Sequence, residues 1–224
     1  MCLFYGYKTD GIVQAGETGP ALLDGGALAQ PGHLKMHDTN GNGYIDSDDR
    51  MIIGNPNPKF TFGFGTELSY KNLTLSVSCN GSYGNDIINV NNMRETDTAQ
   101  KNHNILRAAM YDSWTPDNPD AKYWAIGSIS STETRALKDI DLEDGSYLRI
   151  ANVSLSYDFP IRKDAKVLRG LSFGISASNL LIFTKYSGWD PDVNSFGSNV
   201  MKMGADSGSY PSSRTFSADV KFTF

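Results

Sequence analysis

The chain has 224 residues, a net charge of -5, 39% hydrophobic residues and 11% aromatics. The charge and the lack of a basic stripe argue against a general nucleic-acid binder, and no apolar run is long enough for a transmembrane helix. Two cysteines, Cys2 and Cys79, sit in no CxxC pattern, so no zinc or redox motif is present, and a disulfide between them stays open.

The opening residues, Met1 to Lys8, have neither a basic n-region nor an apolar h-region, so they do not read as a signal peptide. They read as mid-strand, with a partial strand expected around Leu3 to Lys8. After a long connection over 11–59, Phe60, Phe62, Phe64, Leu68 and Tyr70 share one strand face, with Thr61, Gly63, Gly65, Glu67 and Ser69 on the other. Past Lys71-Asn72 the pattern restarts, with Leu73, Leu75, Val77, Cys79 and Tyr83 opposed to Thr74, Ser76, Ser78, Asn80 and Ser82. Such period-two runs predict strands of about ten residues, enough to span a bilayer when tilted.

A very long connection, 84–146, precedes a strand from Tyr147 to Phe159. Ala151, Val153, Leu155, Tyr157 and Phe159 alternate there with Asn152, Ser154, Ser156 and Asp158, and Leu148 and Ile150 break phase as at a bulge. A short link, 160–170, leads to a strand from Leu171 to about Phe183, followed by a long link over 184–213. The last strand sets Phe216, Ala218, Val220, Phe222 and Phe224 against Ser217, Asp219, Lys221 and Thr223.

Alternation alone also fits a soluble antiparallel sheet with one wet face. Two features favour an up-and-down membrane barrel. The polar faces are Ser, Thr, Gly and Asn, as in a large lumen, and Tyr70, Tyr83, Tyr157, Phe159, Phe183 and Tyr186 gather at strand ends like interfacial girdles. Long and short connections alternate, as outer loops and periplasmic turns do. The expected fold is therefore all-β, and five or six strands are too few to close a transmembrane barrel.

Several short motifs, in order from one end to the other, resemble the SusC/RagA family of TonB-dependent outer-membrane transporters. They are Phe4-Tyr5-Gly6-Tyr7-Lys8-Thr9-Asp10-Gly11-Ile12, the run from Gly32 to Asp46, and the run from Asp48 to Phe60. Gly81-Ser82-Tyr83-Gly84-Asn85-Asp86-Ile87, Glu143-Asp144-Gly145-Ser146-Tyr147-Leu148-Arg149, Asn179-Leu180 and Phe183-Thr184-Lys185-Tyr186-Ser187-Gly188 follow, and Tyr210-Pro211, Arg214-Thr215-Phe216 and Phe224 complete the set. The resemblance implies that residues 1–224 are the C-terminal part of a barrel of about twenty-two strands, with the plug, TonB box and signal peptide outside this sequence. It implies outer-membrane import of a large nutrient, usually a glycan fragment and sometimes a peptide, with a SusD-like surface lipoprotein and the TonB system as partners. The competing class is a secreted, calcium-stabilised soluble β module for adhesion or scaffold docking.

The sharpest local motif is Asp38-Thr39-Asn40-Gly41-Asn42-Gly43-Tyr44-Ile45-Asp46-Ser47-Asp48-Asp49. It follows the EF-hand pattern of oxygen ligands with Gly at the sixth position, except that Asp replaces the final Glu. Asp38, Asn40, Asn42 and Asp46 are candidate side-chain ligands for Ca2+, Tyr44 a main-chain carbonyl ligand, and Asp49 the closing carboxylate. Pro31-Gly32 and Gly54-Asn55-Pro56 argue against flanking helices, and a turn-rich loop without an ion remains the alternative.

No catalytic constellation stands out, so no enzyme is expected. His33, His37 and His103 form no HExxH, and Asp139, Asp141, Glu143 and Asp144 read as a solvated turn. Tyr111, Trp114, Tyr123, Trp124 and Trp189 could stack on sugar rings, but packing of the loops on one another is the simpler expectation.

Overall fold

The structure is a computed structural model that describes residues 3–23, 26–97, 104–128, 131–161, 167–192, 195 and 202–224. Its strands are β1 (Phe4–Gly6), β2 (Thr9–Ile12), β3 (Leu34–Met36), β4 (Met51–Gly54), β5 (Phe60–Tyr70) and β6 (Leu73–Tyr83). They continue with β7 (Asp86–Asn89), β8 (Leu142–Asp144), β9 (Tyr147–Phe159), β10 (Gly170–Thr184), β11 (Ala205–Asp206) and β12 (Thr215–Thr223). Three short helices, α1 (Val90–Glu95), α2 (Arg107–Tyr111) and α3 (Ser131–Arg135), lie between β7 and β8. No described helix is long and apolar enough to cross a membrane, which says nothing of strands.

The chain divides into two compact units. The sheet unit comprises Pro58–Asn85, Asp144–Asp192 and Tyr210–Phe224. It holds one five-stranded sheet in the order β12-β10-β9-β6-β5, antiparallel throughout. Each strand therefore lies beside its predecessor in the sheet, which is up-and-down topology. The β5–β6 turn is the two residues Lys71-Asn72, with Lys71 at the left-handed φ of 53°.

The five strands coincide with the five expected from alternation, and the phase break in β9 is a bulge. Ser78 pairs with Asn152 and Cys79 with Ile150, so Ala151 is the extra residue. On the other side Asn179 and Leu180 are inserted between the pairs Ser178–Asn152 and Leu181–Ile150, with Asn179 at φ 51°. The inserted residue returns Leu148 and Ile150 to the face of Val153 and Leu155, because a one-residue slip swaps faces in a period-two strand.

The apolar face then runs unbroken across the sheet, through the rows Leu75–Leu155–Ile175–Ala218 and Val77–Val153–Ala177–Phe216. It is not buried: Phe64, Leu68 and Phe216 are 63%, 62% and 69% exposed. A soluble antiparallel sheet covers its apolar face, and a contiguous exposed face of this size marks a surface meant for another apolar medium. Strands of 11, 11, 13, 15 and 9 residues suit a tilted membrane crossing.

The second unit comprises Met1–Asn57, Asp86–Glu143 and Val193–Ser209. Apart from the N-terminal strand it is the part expected as connections, and it has a core of its own. Tyr7, Met36 and Ile45 pack together with Leu23 and Ala136, and Leu34 packs on Trp124. Small ladders frame it: β1 with β4, β2 with β3, and β7 between β8 and β11. The expected N-terminal strand is thus real, but its partner is β4 and not the large sheet. That core was not legible because its buried apolar residues, such as Val13, Ala21, Ile45 and Ala109, are scattered along the chain with neither helical nor strand period.

Candidate functional site

The loop from Asp38 to Asp49 is organised by its own amides. Asp38 Oδ1 accepts from the N–H groups of Gly41 (2.7 Å) and Asn42 (3.2 Å), and Oδ2 from Gly43 (2.7 Å). Asn40 Oδ1 accepts from Asn42 N–H at 2.9 Å, and Asn42 Oδ1 from Tyr44 N–H at 2.7 Å. Gly41 and Gly43 supply the positive φ angles, 73° and 82°, that let these amides turn inward. The Gly43 N–H leads in holding the Asp38 carboxyl below its ordinary pKa, because hydrogen bonds to the ionised form favour it.

The far end of the loop behaves differently. Asp49 is fully buried, and its oxygens accept from Thr39 N–H and Asp46 N–H, both at 2.9 Å. Asp46 Oδ1 caps Asp48 N–H at 2.8 Å. No three His, Cys, Asp or Glu side chains among the described residues form a group that could hold a metal ion by themselves, so an ion here would depend on the Asn40 and Asn42 amides and the Tyr44 carbonyl as well. The donor types suit calcium, while Asp49 serves as the staple between the two ends of the loop.

The remaining candidates are structural. His33 Nδ1 lies 3.3 Å from Gln30 N–H, and His37 Nδ1 pairs with Asp10 at 2.7 Å. His103 and Cys2 lie outside the described residues, and with them the question of a Cys2–Cys79 bridge. The acidic cluster is not a solvated turn throughout. Asp139 Oδ1 takes the Thr9 hydroxyl at 2.7 Å, Glu143 takes Asn89 Nδ2 at 3.0 Å, and Asp141 pairs with buried Lys138 at 3.2 Å. Burial raises the Asp141 pKa although Lys138 opposes it. These carboxylates close the short helical and strand pieces that precede β9, which charge content alone does not reveal.

Trp114, Tyr123 and Trp124 are buried, as packing required. Trp114 Nε1 donates to Gln14 at 3.0 Å, and its ring leaves no space for a Cβ on Gly32. Tyr186, expected in an interfacial girdle, is buried against Gly188 instead. Tyr111 and Trp189 stay open, 72% and 76% exposed.

One cluster was not foreseen as a cluster, although several of its members stand in the motifs quoted above. In the sheet unit, Arg149 Nη2 donates to Asp190 at 2.6 Å, with Asp192 at 3.7 Å. Nη1 donates to Ser212 Oγ at 3.1 Å and reaches Asn179 Oδ1 at 3.4 Å. Arg149 and Asp190 are 41 residues apart, a separation that no local motif links. Together with Trp189 and Arg214 they line a pocket of about 210 Å³.

A five-stranded antiparallel sheet with an open apolar face and a Ser/Asn-rich face, all neighbours sequential, is a segment of a transmembrane β-barrel wall. No protein-family model matches the chain. It is 34% identical over 228 residues to TonB-dependent receptor P3 of Formosa agariphila, covering 99% of this chain and 22% of that protein. TonB-dependent receptor SusC of Bacteroides thetaiotaomicron is 28% identical over 189 residues, covering 84% of the chain and 17% of SusC. The solved structure of the RagAB peptide transporter shares the fold, with a TM-score of 0.74 at 23% identity over 99% of this chain and 23% of the other. Along nearly its whole length the chain is similar to proteins named as TonB-dependent receptors, SusC among them, and not to enzymes, and it shares the fold of the RagAB structure. It spans about a fifth of the length of the curated relatives it matches.

Proposed function

We propose that the full-length receptor resides in the outer membrane and imports a large nutrient, an oligosaccharide, with a SusD-like surface lipoprotein and the TonB system as partners. Residues 1–224 would form the C-terminal part of its barrel. The observation that carries the reading is the joint one: relatedness to TonB-dependent receptors along nearly the whole chain, and an exposed apolar sheet face suited to lipid. The motif order set out above supports the C-terminal placement. RagAB is named a peptide transporter, and at 23% identity that likeness speaks for the fold and leaves the cargo open.

The test is uptake. Cells carrying the full-length receptor gene accumulate a fluorescently labelled oligosaccharide, and cells lacking either that gene or TonB do not. Uptake of labelled peptides alone would overturn the substrate class. Uptake that survives loss of TonB would overturn the energy source.

The same reading keeps Ca2+ on the 38–49 loop, with Asp38, Asn40, Asn42, Asp46 and Asp49 as side-chain ligands and Tyr44 through its carbonyl. Ligand spacing and the Gly43 amide on Asp38 support it, and the ion would stiffen the loop without taking part in chemistry. Millimolar calcium should then raise the unfolding temperature, and should not do so in Asp38→Ala. An unchanged unfolding temperature in the parent protein removes the ion.

A further inference from the structure

Trp189 stands out in the sheet unit because it is open while its neighbours are fixed. Tyr186 and Asp190 are buried on either side, and Gly188 lies so close to the Tyr186 ring that a Cβ would clash. Asp190 holds Arg149 at 2.6 Å, and also accepts from Asp192 N–H at 3.0 Å and Ser212 N–H at 3.3 Å. The segment carrying Trp189 is thereby tied both to β9 and to the approach to β12.

A buried Arg–Asp pair is not an economical source of stability, since desolvation offsets most of the Coulomb gain. The Arg149 side chain is 8% exposed, and its Nε has no acceptor among the described residues. What such a pair provides here is position. It fixes the backbone beside Trp189, whose open indole stands at a pocket lined by the polar Asn179, Ser212 and Arg214 and the apolar Leu181, Ile182 and Pro211.

The pocket's setting narrows the ligand. Arg149 pairs across the sheet with Asn80 and Ile182, in the phase of the Ser154 and Ser156 face. That is the lumen face in a barrel, so the residue that anchors the Trp189 segment lies on the lumen side of the wall. About 210 Å³ is below the size of a site for a whole drug-sized ligand and suits one unit of an oligomer. The one carboxylate among the described lining residues, Asp190, is committed to Arg149, and nearby Asp192 also faces Arg149 at 3.7 Å. An open aromatic face flanked by hydroxyl, amide and guanidinium groups matches a ring with one apolar face and a hydroxyl-bearing edge.

We infer that this pocket is a sugar subsite, in which one pyranose ring of the cargo stacks on Trp189 and its hydroxyls meet Arg214 and Ser212. Arg149 is a positioning residue for the Trp189 segment. The assignment rests on the oligosaccharide reading above.

The experiment uses the purified full-length receptor in detergent, with cellohexaose, laminarihexaose, xylohexaose and mannohexaose as probes and a mixed decapeptide pool beside them. At least one hexaose binds. Trp189→Ala weakens it by about tenfold or more, whereas Trp189→Phe, which keeps a stacking face, stays within about threefold. An unchanged heat-dependent mobility in SDS verifies that both variants fold. If Trp189→Ala binds the sugar as well as the parent does, the subsite is wrong and the oligosaccharide reading survives. If only decapeptides bind, or no hexaose does, the sugar assignment falls together with the reading beneath it.

Discussion

In the unit built from residues 1–57, 86–143 and 193–209, Val13, Ile87 and Trp124 are sealed from solvent, and so are the charges of Asp49, Lys138 and Asp141. In the sheet unit the same kinds of apolar side chain, Phe64, Leu68 and Phe216 among them, stand open across a whole face. The first arrangement is what water selects, since apolar area is withdrawn and buried polar groups find partners. The second is what a bilayer selects, since the backbone is satisfied within the sheet and the apolar face meets lipid. One polypeptide thus answers to two solvents, and substitutions in the two units should fail for opposite reasons.

The largest effect is expected at Lys138. Its ammonium is 1% exposed, lies 3.2 Å from Asp141, and donates to the carbonyls of Glu133 (3.1 Å) and Ala136 (2.8 Å). Lys138→Ala leaves Asp141 buried without its countercharge, which costs about 3–5 kcal/mol. Urea unfolding followed by the emission of buried Trp114 and Trp124 reads this directly. A loss below about 1 kcal/mol would mean that the pair behaves as a surface ion pair, and the contrast between the units would weaken.

Next in size is a charge on the apolar face. Leu155 pairs with Leu75 and Ile175 in mid-sheet. In lipid vesicles, Leu155→Arg should cost about 2–4 kcal/mol, as arginine does near a bilayer midplane. Ser154→Arg, one residue away on the other face, should stay within about 0.5 kcal/mol. Refolding yield into vesicles across a urea series compares the two, and equal penalties would remove the assignment of lipid and lumen faces.

The same contrast governs what could be anticipated from residue order. All five strands of the large sheet were legible, and even the β9 bulge, because a period of two is strict and Leu148 and Ile150 visibly break it. Of the second unit only the N-terminal strand was legible, because Tyr7, Met36 and Ile45 meet from three distant segments through long-range packing that leaves no periodic trace. The Asp38 loop was readable as a set of oxygen donors. That Asp49 spends both oxygens on the amides of Thr39 and Asp46 was not, since it depends on how the two ends of the loop close. Arg149 stands in a quoted motif and Asp190 in none, and they become a pair only once β9 and the segment after β10 are brought together.

The smallest effects are titrations, and they carry opposite signs within one unit. Gly43, Gly41 and Asn42 N–H groups hold the Asp38 pKa below its ordinary 3.8, so its contribution to stability is present above 3.8 and is lost as the pH falls through the lowered value. Burial raises the Asp141 pKa above 3.8, so its contribution is full below 3.8 and is lost as the pH rises through the raised value. Carboxyl carbon shifts from selectively labelled aspartate should place the Asp38 midpoint below 3.8 and the Asp141 midpoint above it. Lys138 acts on Asp141 in the lowering direction, so a conservative Lys138→Met variant that still folds should move that midpoint higher again and leave Asp38 where it was. If the Asp141 midpoint stays put, the ammonium is not its electrostatic partner, and the carboxyl is held by the Lys138 main-chain N–H at 2.9 Å alone.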